Sequence, residues 1–222
     1  MMYAPEIQLP FEMVPDAGFE TRRNVFRLTH ALQTTVAEAA IALDLFERAV
    51  IYRDATMPSE WWQDEPEVAA MLARVVLPND RPHSYFSIAP QMHARTFVLA
   101  LRMIGVFLQT LAVEIGALRP DLDRISQAYD ASFPTLKEVR DSIAHMEDRL
   151  RGLAGMGKKK KVIIPQPVPT LAPEGGATFS NFIQGRSLVW TLADGSVGSC
   201  EVSEDILRTA VSHVAKAVSV LI

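Results

Sequence analysis

The sequence predicts a mainly α-helical bundle that carries a small C-terminal β-hairpin and a final helix. Apolar residues recur at helical spacing through three long stretches between residues 20 and 152. Prolines and glycines break that pattern at Gly155, and beyond the break an Asp-Gly pair sits between alternating apolar runs.

The first stretch, residues 20–52, places Val25, Leu28, Leu32, Val36, Ala39, Leu43, Phe46 and Val50 on one narrow stripe of a helical wheel. Asp54 to Pro58 ends it. SEWWQDEPEVAAMLARVVL follows, a helical pair or a kinked helix with Ser59 as its N-cap, and Trp61-Trp62 reads as a core anchor, with a ligand-stacking pair as the alternative. PNDRPHSY reads as a loop, in which Arg81, His83 and Tyr85 border a site. A long helix is expected from Pro90, a favourable first helical residue, to Gly116. Asp121 to Tyr129 forms a short helix, and Phe133-Pro134-Thr135 restarts the chain into a helix that Gly152 ends.

From Gly155 the composition changes to GMGKKKKVIIPQPVPTLAPEGGA, an extended arm without helical period. FSNFIQGRSLVWTLADGSVGSCEV then reads as short strands with the hairpin turn at Ala193 to Ser196. Ser203 caps a last helix whose apolar face is Ile206, Ala210, Val214, Ala217 and Leu221. Three segments result: a helical bundle over 1–154, a Pro-rich arm over 155–177, and a hairpin plus helix packed on the bundle over 178–222.

Composition narrows the function classes. With 222 residues, 49% hydrophobic and 22% charged, the chain can bury a sizeable core without staples. Cys200 is the single cysteine, which excludes an internal disulfide and a thiolate metal cluster. A net charge of -4 gives no support to broad nucleic-acid binding, and the basic run Lys158, Lys159, Lys160, Lys161 is local. By default such a run is solvated linker, and otherwise an RNA or DNA contact. FVLALRMIGVFLQTLAVEIGAL, residues 97–118, has the length of a membrane span. Arg102, Gln109 and Glu114 interrupt it, so it reads as a core helix and the protein as cytoplasmic, without membrane contact. No HExxH, paired Cys/His spacing or Gly-rich phosphate loop occurs, so neither metal nor cofactor is expected. Ser196 in DGSVGS sits in a hairpin turn, not before a helix as a nucleophile elbow requires.

The chemistry-bearing stretch is VRDSIAHMEDRLRG, Val139 to Gly152. Leu136, Val139, Ile143, Met146 and Leu150 span about 80° of the wheel, and Arg140, Asp141, Ala144 and His145 lie across the opposite side. Asp141 and His145, four apart, can touch. Arg140 and His145 are about 140° apart, so they converge only where a groove or a second subunit meets this face. The plain reading is a solvated face with an Asp–His contact. Arg208 and His213 repeat the spacing, but His213 lies in an apolar stripe and reads as structural.

VRDSIAHMEDR resembles the signature of the HEPN superfamily, helical bundles marked by R-x(4–6)-H near the start of the last core helix. Asp141 matches the polar residue that follows the arginine, and Ile143-Ala144 the small apolar filling before the histidine. The order of helices over residues 20–152 is also similar. The resemblance implies a HEPN-like fold and, as in many members, a metal-independent endoribonuclease. Its site would be shared by two motif helices across a homodimer, in a defence or toxin–antitoxin role with an antitoxin or other protein partner. It implies His145 as general acid or base for 2'-hydroxyl attack, Arg140 as stabiliser of the phosphorus centre, and Asp141 as the residue that orients them. Lys158 to Lys161 would then hold RNA. The nuclease-toxin branch often has tyrosine three residues after the histidine, where this chain has Asp148. Other members are non-catalytic, which gives the alternative of a protein- or nucleotide-binding module. A third class, a purely structural protein, would have no charged cleft between copies.

Overall fold

The structure is a computed structural model that describes residues 13–55, 83–146, 151, 153–154, 161–164 and 182–222. Two long helices form its frame. Helix α1 spans Phe19–Ala55 and α2 spans His83–Ile115. They run antiparallel. Asn24 donates to Glu114 at 3.0 Å near one end, and the rings of Tyr52 and Phe86 lie 6.4 Å apart near the other. The stripe expected for α1 is the face that packs: Val25, Leu32, Val36, Ala39, Leu43 and Phe46 are buried, and Leu28 and Val50 partly so.

Helix α2 begins before its expected start. His83 to Tyr85 are helical, not loop, and Pro90 lies inside the helix. An interior proline forfeits one backbone hydrogen bond and crowds the preceding turn. Here that turn is held by Phe86 and Ala89, both buried, with Phe86 near Tyr52 of α1. Tertiary burial outweighs the local signal. Between Tyr85 and Ile115 this helix is long and apolar enough, by length and composition, to cross a membrane, and half of that window is buried within the fold. Its inner residues, among them Phe97, Leu101, Ile104, Leu108 and Ile115, form the centre of the core.

Two shorter helices close one side. Helix α3, Asp121–Ser132, runs a little past the expected Tyr129. Helix α4, Leu136–Ala144, begins after the Phe133-Pro134-Thr135 restart, as expected. The motif helix was expected to run unbroken to Gly152, but α4 ends at Ala144 and the helix is interrupted at His145, which takes φ -113° and ψ 37°, before Met146 is helical again. No proline or glycine lies between Leu136 and His145 to mark that stop. Residues 147–150 and 152 lie outside the described residues, as does the expected helical segment 59–77 with Trp61 and Trp62.

The C-terminal strands form a three-stranded antiparallel sheet, one strand more than the expected hairpin. The short pair β1 (Leu153–Ala154) and β2 (Lys161–Val162) precedes it, so the expected arm folds back at its start. Strands β3 (Phe182–Gln184), β4 (Ser187–Thr191) and β5 (Val197–Glu201) pair in that order. The β3–β4 turn uses Gly185 at φ 57°, and the β4–β5 turn uses Gly195 at φ 87°. Left-handed backbone of this kind suits glycine, and Asp194 completes the second turn by accepting from Ser196 N at 3.0 Å and from its hydroxyl at 2.6 Å. The sheet shares one core with the helices. Trp190 is fully buried, and Leu188 and Leu192 join residues of every helix in the same cluster.

Helix α5, Glu204–Val220, is capped by Ser203, whose hydroxyl accepts from Ile206 N at 3.4 Å. It packs on α3, α1 and α2 through Leu207, Ala210, Val214, Ala217 and Val218. The chain start is tied to its end: Val14 N donates to Leu221 O at 2.8 Å, and Arg119 bridges Asp16 and Val220 O.

Helices α2 and α3 come into close contact at Gly105. A Cβ there would lie 2.9 Å from the ring of Tyr129, whose hydroxyl donates to Leu101 O at 2.5 Å and fixes the ring in place. Alanine would gain about 0.5–1 kcal/mol from backbone entropy but lose about 1–3 kcal/mol to overpacking. Gly105→Ala is therefore expected to lower unfolding stability, by roughly 1–2 kcal/mol net, measured by urea denaturation.

Candidate functional site

Helix α4 is positioned from its buried side. Leu136, Val139, Ser142 and Ile143 face the core, against α2, β4 and β5. Gly198 of β5 permits the contact, since a Cβ at that position would come within 3.0 Å of Val139 and 2.8 Å of Leu192. Thr135, just before the helix, donates its hydroxyl to Ser199 O at 3.0 Å. These contacts fix the helix and turn its other face outward.

On that outward face the structure brings Arg140 and Asp141 together. The guanidinium donates to the Asp141 carboxylate at 2.7 Å, and both side chains are about two-fifths exposed. Asp141 meets His145 through the backbone: His145 N donates to Asp141 O at 3.1 Å and closes the helix. The His145 side chain is exposed beside exposed Ala144. Among the described residues its imidazole has no hydrogen-bond or ion-pair partner, so the expected side-chain contact with Asp141 is replaced by the Arg140–Asp141 pair. Arg140 thus stands in the middle of a short, firmly seated helix and His145 at its end, and they form no closed catalytic centre among the described residues.

The remaining sequence candidates fall elsewhere. Lys158, Lys159 and Lys160 lie outside the described residues, and Lys161 pairs through its backbone with Ala154. Arg81 is likewise outside them, whereas Tyr85 lines a pocket of about 230 Å³ with Arg48, Tyr52, Phe86 and His93. Burial lowers His93 below the usual imidazole range. Periodicity could not reveal this pocket, because it forms where the end of α1 meets the start of α2. The Ser196 hydroxyl is committed to Asp194 in the turn. Burial pushes the Cys200 thiol up to about 12, so it stays protonated.

His213 is structural, as its place in the stripe predicts. It is buried, stands edge-on to Tyr129 at 5.7 Å, and shares a 3.1 Å hydrogen bond with Ser132. The Ser132 proton goes to Ala128 O at 2.8 Å, so His213 Nε2–H donates and Nδ1 is left bare, without a partner among the described residues.

Comparison with protein-family models, with curated proteins and with solved structures finds no match in any of the three. The site is therefore judged on its own geometry.

Burial, with Lys216 as a second cause, lowers the pKa of His213. The unfolded chain then takes up the proton first, so the stabilisation is complete above about pH 6.5 and is lost as pH falls below it. Thermal melts from pH 7.5 to 5 should show wild type losing more stability than His213→Gln over that range.

Proposed function

We propose that the outward face of α4 is one half of a phosphodiester site, and that the chain is a HEPN-like, metal-independent endoribonuclease whose site is completed by the α4 face of a second copy. The observation that carries this reading is the exposed His145 at the C-cap of a helix whose outward face carries Arg140 and whose other face is packed into the core. Within one copy Arg140 lies in the middle of α4 and His145 at its C-cap, where the backbone leaves the helix. Two copies would supply a histidine and an arginine from each side of a bound strand.

In that site one His145 removes the proton from an RNA 2'-hydroxyl as its oxygen attacks the adjacent phosphorus. The His145 of the other copy, protonated, donates to the departing 5'-oxygen, leaving a 2',3'-cyclic phosphate and a 5'-hydroxyl. Arg140 stabilises the negative charge that grows on the phosphoryl oxygens. Asp141 holds the guanidinium in place until RNA arrives.

A second reading has its own support. The 2.7 Å Arg140–Asp141 pair neutralises the cation that a phosphate would need, which favours a non-catalytic module that binds a protein or a nucleotide through the same face.

Incubation of single-stranded RNA with the protein in EDTA separates the two. Cleavage should leave 2',3'-cyclic ends and fall by about 10²–10⁴-fold in His145→Ala, with a large loss in Arg140→Ala. Absence of cleavage by folded wild type at high protein concentration would transfer the assignment to the binding module.

A further inference from the structure

Helix α2 carries a row of exposed and half-buried apolar side chains on its outer side. Tyr85, Met92, Leu99, Val106 and Val113 recur every seventh residue, nearly opposite the buried stripe of Phe97, Leu101 and Ile104. Of these, Met92 is 56% exposed and Val113 81%, and Ile88 and Met103 widen the same face. Exposed Ile41 and Leu45 of α1 add to it, Leu45 lining the pocket that Tyr85 also borders. A surface helix normally turns a polar face to water. An apolar row at seven-residue spacing from Tyr85 to Val113 supplies one of the two rows along which a second helix packs, and Ile88 and Met103 contribute to the other.

We infer that this face of α2 is a self-association surface, on which a second copy of the chain packs its own α2 antiparallel about a two-fold axis near Leu99. Size and charge favour this occupant. Residues 85–113 span roughly 40 Å of helix, and a helix about 10 Å across laid along them covers roughly 400 Å² per copy. The pair then buries roughly 800 Å² in projection, and Ile41 and Leu45 carry the total toward the roughly 1,000 Å² of a specific interface. Arg95 is the one ionisable residue on the stripe itself. A parallel arrangement would set the two Arg95 side chains against each other in the seam. The antiparallel one places each near Met103 of the other copy, about 12 Å along the helix from its twin.

The surface is distinct from the proposed RNA site, because α4 packs on α2 from its buried side. An α2-joined pair leaves both α4 faces free. The inference therefore stands or falls without the ribonuclease reading.

The test is molar mass by size-exclusion chromatography with light scattering at about 50 μM, on wild type and on the double variant Met92→Glu/Leu99→Glu. Both positions are exposed, so the variant should retain the wild-type circular dichroism spectrum. The variant is expected to run at half the mass of wild type. Equal masses for wild type and the double variant, whether monomeric or associated, would overturn the inference. So would flotation of wild type with phosphatidylcholine/phosphatidylglycerol vesicles that the double variant loses, since the face would then belong to a lipid surface.

Discussion

Helix α2 carries apolar side chains around nearly its whole circumference, and water forces at least its inner half under cover. Each large aliphatic or aromatic side chain removed from water there contributes about 1.5–3 kcal/mol before entropy is subtracted. Phe97, Leu101, Ile104 and Leu108 are all essentially inaccessible, so this row is a central source of cohesion. The other elements take positions that cover it. Helix α1 lies along it, α3 meets it at Gly105, and α4, α5 and the sheet close the remaining side. Even a proline inside the helix is tolerated, because Phe86 and Ala89 hold the turn that Pro90 weakens.

The sheet is too small to stand by itself. Its stability comes from Trp190, Leu188 and Leu192, which enter the core cluster of the helices. The indole N–H of Trp190 has no acceptor among the described residues, so apolar burial there outweighs one unmade hydrogen bond. In return β5 supports α4. Gly198 lets Val139 come close, and Ser199 O receives Thr135 at the start of that helix. The C-terminal strands therefore set the position of the outward face that carries Arg140, Asp141 and His145.

That face and the outer side of α2 differ in kind. The α4 face is polar, short and partly self-neutralised by the Arg140–Asp141 pair. The α2 face is long and nearly uncharged. A polar face suits a charged ligand that can displace the internal pair, and an apolar face suits permanent cover. Their separation across α2 allows a chain of this size to offer both without one obstructing the other.

Periodicity in the amino-acid sequence by itself determined the stripe of α1, the apolar character of α2, the Asp194-Gly195 turn, the Ser203 cap and the burial of His213. Each follows from spacing along one element, which is a local property. The start of α2 before Pro90 and the third strand were decided by the tertiary structure, because packing across elements overrode or extended the local signal; the break in the motif helix at His145 was likewise not legible in the spacing. The same holds for the site. Sequence placed Arg140, Asp141 and His145 on a polar face, but not the choice of Asp141 for the guanidinium over the imidazole. That choice depends on where the side chains stand after the core has seated α4 and its backbone has turned at His145, and no spacing rule along a single helix contains it.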